Sequence, residues 1–229
     1  MRSNSWRSEC CAEFLGSMFL VIASISSMVM FWHVLGADFG ISVLANAISV
    51  GFVLIVLIEM FRPISGAHFN PIVTIVMRMD RKIEAGKAIV FVLLQFLGGL
   101  LGAVFSHLMF YDTLRAVLGF HLHKRSVYTY FGELFGAFIL ILAILMLTQA
   151  KSRKISFFIG LLVGGQLLAT SSNMFANPQV TFARMFSPTI SGIHPVDALA
   201  FIAMQIIGAV LAYTIFKRFF LKKEQNEFT

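Results

Sequence analysis

Long apolar intervals without Asp, Glu, Lys or Arg alternate along this chain with short charged clusters. The intervals cover 14–37, 39–58, 88–111, 134–150, 155–183 and 198–216. A helix needs about 20 apolar residues to cross roughly 30 Å of hydrocarbon. The pattern therefore predicts six transmembrane helices, with the fifth interval too long for one span. A further uncharged stretch, 63–77, is too short to cross.

Composition agrees. The 229 residues are 58% hydrophobic and 13% charged, where a soluble domain runs at about 45–50% and about 25%. The class is an integral, multi-pass membrane protein. The net charge of +7 reads as a topology signal once it is mapped. With six spans, one side carries Arg2, Arg7, Arg62, Arg78, Arg81, Lys82, Lys87, Lys151, Arg153, Lys154, Lys217, Arg218, Lys222 and Lys223. The other side carries Arg115, Lys124 and Arg125, with Arg184 inside the Asn177 segment. Lys and Arg accumulate on the cytoplasmic side, so both termini are expected there, in a plasma or bacterial inner membrane. No nucleic-acid partner is needed to explain the charge; the partner is the lipid bilayer. The first apolar run has full span length, unlike a cleaved signal peptide. Adjacent Cys10 and Cys11 cannot form a disulfide framework and read as thiols next to the membrane, with lipidation as the alternative.

The chain also repeats itself. "AEFLGSMFLVIAS" (12–24) matches "GELFGAFILILAI" (132–144), aligning Glu13 with Glu133. "NPIVTIVMR" (70–78) matches "NPQVTFAR" (177–184), and "LLQFLGGLLGAV" (93–104) matches "AMQIIGAVLAYT" (203–214), aligning Gln95 with Gln205. The predicted units are 1–115 and 116–229, each with three spans and one short segment. Three is odd, so the second copy must be inserted upside down relative to the first. Inverted repeats place the working site near the midplane, where the copies meet.

The short segments explain themselves as half-helices, expected at 70–79 and 177–187. Asn70 and Asn177 are suited to the N-cap, and Pro71 and Pro178 to the first helical position, where the missing N–H would be unpaired anyway. Ten residues from Asn70 rise about 15 Å, half a bilayer. Non-helical chain at that depth survives only if buried in protein or lining a watery cavity. With each Asn oxygen capping its own helix, the amide NH2 is left as a pair of donors facing a passing solute. The two N-termini, each with roughly half a positive charge, face one midpoint and oppose cations and protons.

On "SGAHFNP", "NPIVT", "ANPQVT" and the Glu13/Glu133 and Gln95/Gln205 pairs, the sequence resembles the aquaporin or major intrinsic protein family along essentially its whole length. The resemblance implies an all-α bundle of six helices plus two half-helices, one pore per subunit, and a homotetramer. It implies that Glu13 and Glu133 brace the loops before the half-helices, proton coupling being the alternative reading of two intramembrane carboxylates. Gln95 and Gln205 read as helix-packing hydrogen bonders. The glycines of 98–103, with Gly132 and Gly136, read as close helix contacts. His68 falls in the loop whose backbone carbonyls line the family's cytoplasmic half-pore.

The chain departs from the family pattern in three ways. Ile72 and Gln179 stand where the motif usually has Ala, and Val180 stands where most members have a constriction Arg. Counted from the motifs, the other constriction positions fall at Val50, at Gly165 or Gln166, and at Met174. Such a neck is wider and less polar than a water-selective one, which points to small uncharged solutes: polyols such as glycerol, urea, metalloid hydroxides such as arsenous acid, and water. "FANPQVTFARMFSPTISGIHP" (175–195) is similar to bacterial aquaglyceroporin-like channels associated with arsenic handling, which implies trivalent or methylated arsenicals. Arg184 has two readings: a vestibule charge that partly replaces the missing one, or a residue paired with a nearby carbonyl or carboxylate. His121, His123 and His194 read as loop residues and not as a metal site, since a fourth ligand is missing.

A passive channel is therefore the expected function. The alternatives are a water-selective aquaporin, an ion-coupled transporter built on similar inverted repeats, and a closed-pore junctional protein. No nucleophile–base set, phosphate loop or cofactor motif suggests an enzyme.

Overall fold

The computed structural model describes residues 5–111 and 124–221 and, among them, is built of helices. In chain order these are α1 (Trp6–Met28), α2 (Phe39–Ser65), α3 (Pro71–Met79), α4 (Ala85–Met109), α5 (Tyr128–Gln149), α6 (Ile155–Ala169), α7 (Pro178–Arg184) and α8 (Pro195–Ile215). α1 and α8 continue as π-helical turns, Val29–Val34 and Phe216–Phe220.

Uncharged intervals locate the part of each helix that lies in hydrocarbon, whereas hydrogen bonding carries the helix into the interface. α1 therefore starts earlier than expected, where the Ser5 hydroxyl accepts from the Ser8 N–H at 3.2 Å. α2 runs beyond 58, past Glu59, Arg62 and Pro63, to a Gly66 cap at φ 93°. Among the described helices five are long and apolar enough to cross a membrane, and α6, the expected span at 155, has 15 residues, about 22 Å of rise. One larger correction concerns the second half-helix. The second half-helix ends at Arg184 and not at 187, and tightened turns (Phe186 N–H to Ala183 O, Ser187 N–H to Arg184 O) lead into Pro188, which cannot continue it. The expected unit boundary at 115/116 lies outside the described residues, as do His121 and His123.

The long helices are apolar nearly all round, as membrane helices are. On α2, Ile41, Leu44, Ile48, Phe52, Val56 and Met60 form an exposed stripe, while Val43, Ala47, Val50, Leu54 and Leu57 are buried. Small residues permit the inner contacts. α1 packs on α4 and α5 on α8, and a Cβ on Gly98 or on Gly208 would collide with the carbonyl oxygen of Phe14 or Leu134 respectively. These are the same positions in the two sequence copies. α2 crosses α6 where Gly51 and Gly160 face each other, a Cβ on either lying 2.9 or 2.6 Å from the other's carbonyl oxygen.

The far end of α3 is clamped to α8. Tyr213 Oη donates to the Met79 carbonyl at 3.1 Å, and Asp80 pairs with Lys82 at 2.9 Å and Lys217 at 3.5 Å. Partial burial alone would raise the Asp80 carboxyl; the two ammonium groups outweigh it and hold it below the usual aspartate range.

Gly98→Val and Gly208→Val are each expected to lower the unfolding temperature of the detergent-solubilised protein, the overpacking costing about 1–3 kcal/mol. Gly165→Ala should not, because a Cβ there meets nothing within 4 Å. Scanning fluorimetry of the three variants checks this; an unshifted Gly98→Val would show that the helices can spread.

Candidate functional site

The site is assembled from two copies of one polar arrangement. Glu13, wholly buried in α1, accepts from Ser65 Oγ (2.6 Å), the His68 N–H (2.9 Å), the Phe69 N–H (2.8 Å) and Gln95 Nε2 (2.8 Å). Glu133, wholly buried in α5, accepts from the Phe175 and Ala176 N–H groups, both at 2.8 Å, and from Gln205 Nε2 at 2.5 Å. Each Gln also reaches the half-helix threonine, Gln95 to Thr74 Oγ1 at 3.0 Å and Gln205 to Thr181 Oγ1 at 2.9 Å. A buried carboxylate is costly unless its lone pairs are filled; here donors from three separate segments fill those of Glu13.

Those donors sit on irregular backbone. Ala67 and Phe69 before α3, and Asn173, Met174 and Ala176 before α7, have φ between 24° and 57°. Non-glycine residues in this region cost of order 1–3 kcal/mol each and persist where their surroundings over-determine them. The carboxylates supply that constraint and leave the loop carbonyls free to turn inward.

The half-helices then meet cap to cap. Asn70 Oδ1 accepts from the Ile72 N–H (3.1 Å) and Asn177 Oδ1 from the Gln179 N–H (3.2 Å). The amide nitrogens cross over: Asn70 Nδ2 donates to the Ala176 carbonyl at 2.8 Å, Asn177 Nδ2 to the Phe69 carbonyl at 2.9 Å. This corrects the expected pair of free donors on each Asn. One N–H of each ties the opposite half-helix in place, and one is left.

Both Asn residues line a central cavity. Val50, Leu54, Leu140, Ile159, Val163 and Leu167 make an apolar wall. Opposite lie the loop residues 67–70 and 174–177, and Ser24, Asn46, Val180 and Arg184 complete the lining. Of the sequence-predicted residues, Val50, His68, Met174, Val180 and Arg184 line the cavity; Gly165 and Gln166 do not. α6 turns the 159, 163, 167 face inward, one residue per turn, and Gly165 lies on the opposite side in a shallow groove with Ala47, Ile48 and Phe52. Gln166 is half-buried, and its carbonyl takes the Thr170 hydroxyl at 2.8 Å.

Ile72 and Gln179 are fully buried behind the caps. Ile72 packs in the apolar core. Gln179 Nε2 adds a second donor to the Phe69 carbonyl at 3.3 Å, so both lone pairs of that oxygen are taken. His68 Nδ1 is hydrogen-bonded to Thr74 Oγ1 at 3.1 Å, with its ring edge-on to Phe91. His194 caps α8, Nδ1 accepting from the Val196 N–H at 3.3 Å.

Sequence reasoning missed Ser24, Asn46 and Phe175. The Ser24 carbonyl accepts from Asn46 Nδ2 (2.9 Å), Arg184 Nη2 (3.0 Å) and Ser191 Oγ (3.3 Å). An Asn in mid-span on α2 was the available signal. Arg184 is thus paired with a carbonyl, the second of its two readings, and it also lines the cavity.

Two short helices meeting at their caps inside an apolar bundle, beside a central cavity, define a membrane channel. Residues 1–174 match the family described as Major intrinsic protein, and the chain belongs to that family. It is similar to Aquaglyceroporin AqpS of Rhizobium meliloti (strain 1021), 33% identical over 91% of this chain and 88% of that protein. It is also similar to Aquaporin-4 of Homo sapiens, 26% identical over 91% of this chain but only 66% of that longer protein. Among solved structures, the aquaglyceroporin from Plasmodium falciparum shares the fold with a TM-score of 0.74, 21% identity, and coverage of 94% of this chain and 97% of that one.

Glu13→Gln and Glu133→Gln each set an amide NH2 against backbone N–H groups. Each is expected to cost about 1–3 kcal/mol, read as a lower unfolding temperature in detergent. Unchanged melting in both would remove the carboxylates from the account of what holds the loops.

Proposed function

We propose that this channel passes small uncharged solutes larger than water, passively and without coupling to an ion gradient. Glycerol-like polyols, urea and undissociated metalloid hydroxides such as arsenous acid are the solute class, with methylated arsenicals and water included. The observation that carries this is Val180: with Val50 and Met174 it lines the cavity near the Asn pair, where a cationic side chain would narrow the passage. A relative named as an aquaglyceroporin, 33% identical over nearly the whole chain, supports the same class.

The chemistry follows from the lining. A hydroxylated solute sets its carbon face against the wall of Val163, Leu167 and Leu54, and its oxygens toward the loop carbonyls and the remaining N–H of Asn70 and Asn177. An ion stripped of water finds no such exchange, and the paired half-helix N-termini disfavour cations. No carboxylate is among the described lining residues, which favours a passive conduit over a proton-coupled transporter and over a catalyst. The expected arrangement of two inverted units with both termini cytoplasmic, and a homotetramer taken from the family resemblance, belong to the same proposal.

Val180→Arg should reduce glycerol and arsenite uptake by proteoliposomes several-fold while reducing water flux less. Wild-type uptake should persist when proton and sodium gradients are collapsed. Undiminished glycerol flux through Val180→Arg would remove Val180 from the constriction, and flux that vanishes with the gradients would replace the channel by a transporter.

A further inference from the structure

Beside the central cavity lies a second, smaller one, lined among others by Asn46, Arg125, Asn173, Phe175, Arg184 and Ser191. It shares Asn46, Phe175 and Arg184 with the central cavity, so whatever occupies it stands next to the pathway. Two guanidinium groups converge there on one ring: the Arg184 Cζ is 4.2 Å and the Arg125 Cζ 5.4 Å from the centre of Phe175.

The cations are poorly matched by the protein. Arg184 is 5% exposed, yet among the described residues it has no carboxylate within ion-pair distance and its Nε has no hydrogen-bond partner. Nη2 is tethered to the Ser24 carbonyl. Arg125 donates from Nη1 to the Ser172 carbonyl at 3.3 Å. The two nearby carboxylates are hydrogen-bonded elsewhere: Glu133 by the Phe175 and Ala176 N–H groups and Gln205, Asp197 by the Arg125 backbone N–H and the Tyr130 hydroxyl, both at 2.8 Å. The carboxamide nitrogens are engaged too, Asn46 Nδ2 on Ser24 O and Ser27 Oγ, Asn173 Nδ2 on Leu167 O. The buried Arg184 and the half-buried Arg125 repel each other, the carboxylates of Glu133 and Asp197 offset them without forming an ion pair among the described residues, and Arg184 retains an unused donor that an acceptor with negative charge would take. Guanidinium forks match the paired oxygens of such an acceptor.

We propose that this side cavity is a binding site for a small monovalent oxyanion, a carboxylate or sulfonate, held between Arg125 and Arg184, and that its occupation slows the passage of neutral solutes. The second half rests on the channel reading; the first does not. The probe is methanesulfonate, which stays ionised and so does not cross the bilayer as a free acid. Calorimetry on the detergent-solubilised full-length protein should show saturable binding of methanesulfonate and none of chloride at the same concentration. Arg125→Gln should weaken binding by about tenfold, the loss of one charge-assisted contact, and the Arg184→Gln variant should do the same if it folds. Glycerol uptake by wild-type proteoliposomes should slow over the concentration range in which methanesulfonate binds. Absence of binding, or equal binding to wild type and Arg125→Gln, overturns the site. Binding with undiminished glycerol uptake overturns the slowing. Liposomes that bind methanesulfonate but take up no glycerol under any condition sink the channel reading and leave the site standing.

Discussion

The molecule depends on two hydrogen bonds that cross its centre, from the Asn70 amide to the Ala176 carbonyl and from the Asn177 amide to the Phe69 carbonyl. Each closes a gap of more than one hundred residues in sequence, and each ends on a residue of positive φ. In water such a bond contributes about 0.5–1.5 kcal/mol net. At this depth the alternative to pairing is an orphaned amide in an apolar bundle, which costs more. The tethers therefore work less as glue than as a condition on the rest. Glu13 and Glu133 must turn the loops, and Gln95 and Gln205 must place the threonines, before the caps can reach each other.

That condition explains what was legible in the sequence. Caps, prolines, carboxylates and glutamines are residue types whose chemistry limits where they can sit in lipid, so their repetition in one order identified both half-helices, while the bracing role of the carboxylates came from the family resemblance. The cross-partners were not legible, because an N-cap announces its own helix and says nothing of a carbonyl on another segment. The inward face of α6 was misjudged for a related reason. Counting from Asn177 back to Gly165 or Gln166 passes through Asn173, Met174 and Ala176, all of positive φ, and helical phase is lost across such chain. Had α6 been phased on its own apolar residues, Ile159, Val163 and Leu167 would have been the inward set. The short α6 was hidden likewise, since one uncharged interval covered the helix, the loop and α7.

The two copies are not equivalent where they meet. Ile72 contributes only packing, whereas its counterpart Gln179 brings a second donor to the Phe69 carbonyl. The oxygen facing the Asn70 side is thereby saturated, while the Ala176 carbonyl, tethered by Asn70 alone, retains a lone pair. Under the proposed function, a solute hydroxyl moving along the loop carbonyls would find an acceptor at one of these two oxygens and not at the other. Gln179 also fills space that α4 leaves open at Gly99, where a Cβ would collide with its Oε1. The pairing of a large motif residue with a glycine on the facing helix lets the cap geometry survive the substitution.

The same logic applies around Val180 and Arg184. Arg184 lies four residues after Val180, one turn along the same face of α7 and its leading edge. The charge that family members carry at the neck is absent there, and an arginine stands about 6 Å further along the axis, held on Ser24 and Phe175. Moving a cation from a neck to the space beside it separates two tasks. Under the proposed function Val180, Val50 and Met174 form the neck and discriminate by size and desolvation, while the guanidinium of Arg184, which also lines the cavity, acts on charge. A wide apolar neck alone would exclude ions only through the cost of stripping water. A fixed positive charge beside it adds Coulomb repulsion to that cost, and under the proposed function this would let a neck with no charge of its own be opened to larger neutral solutes.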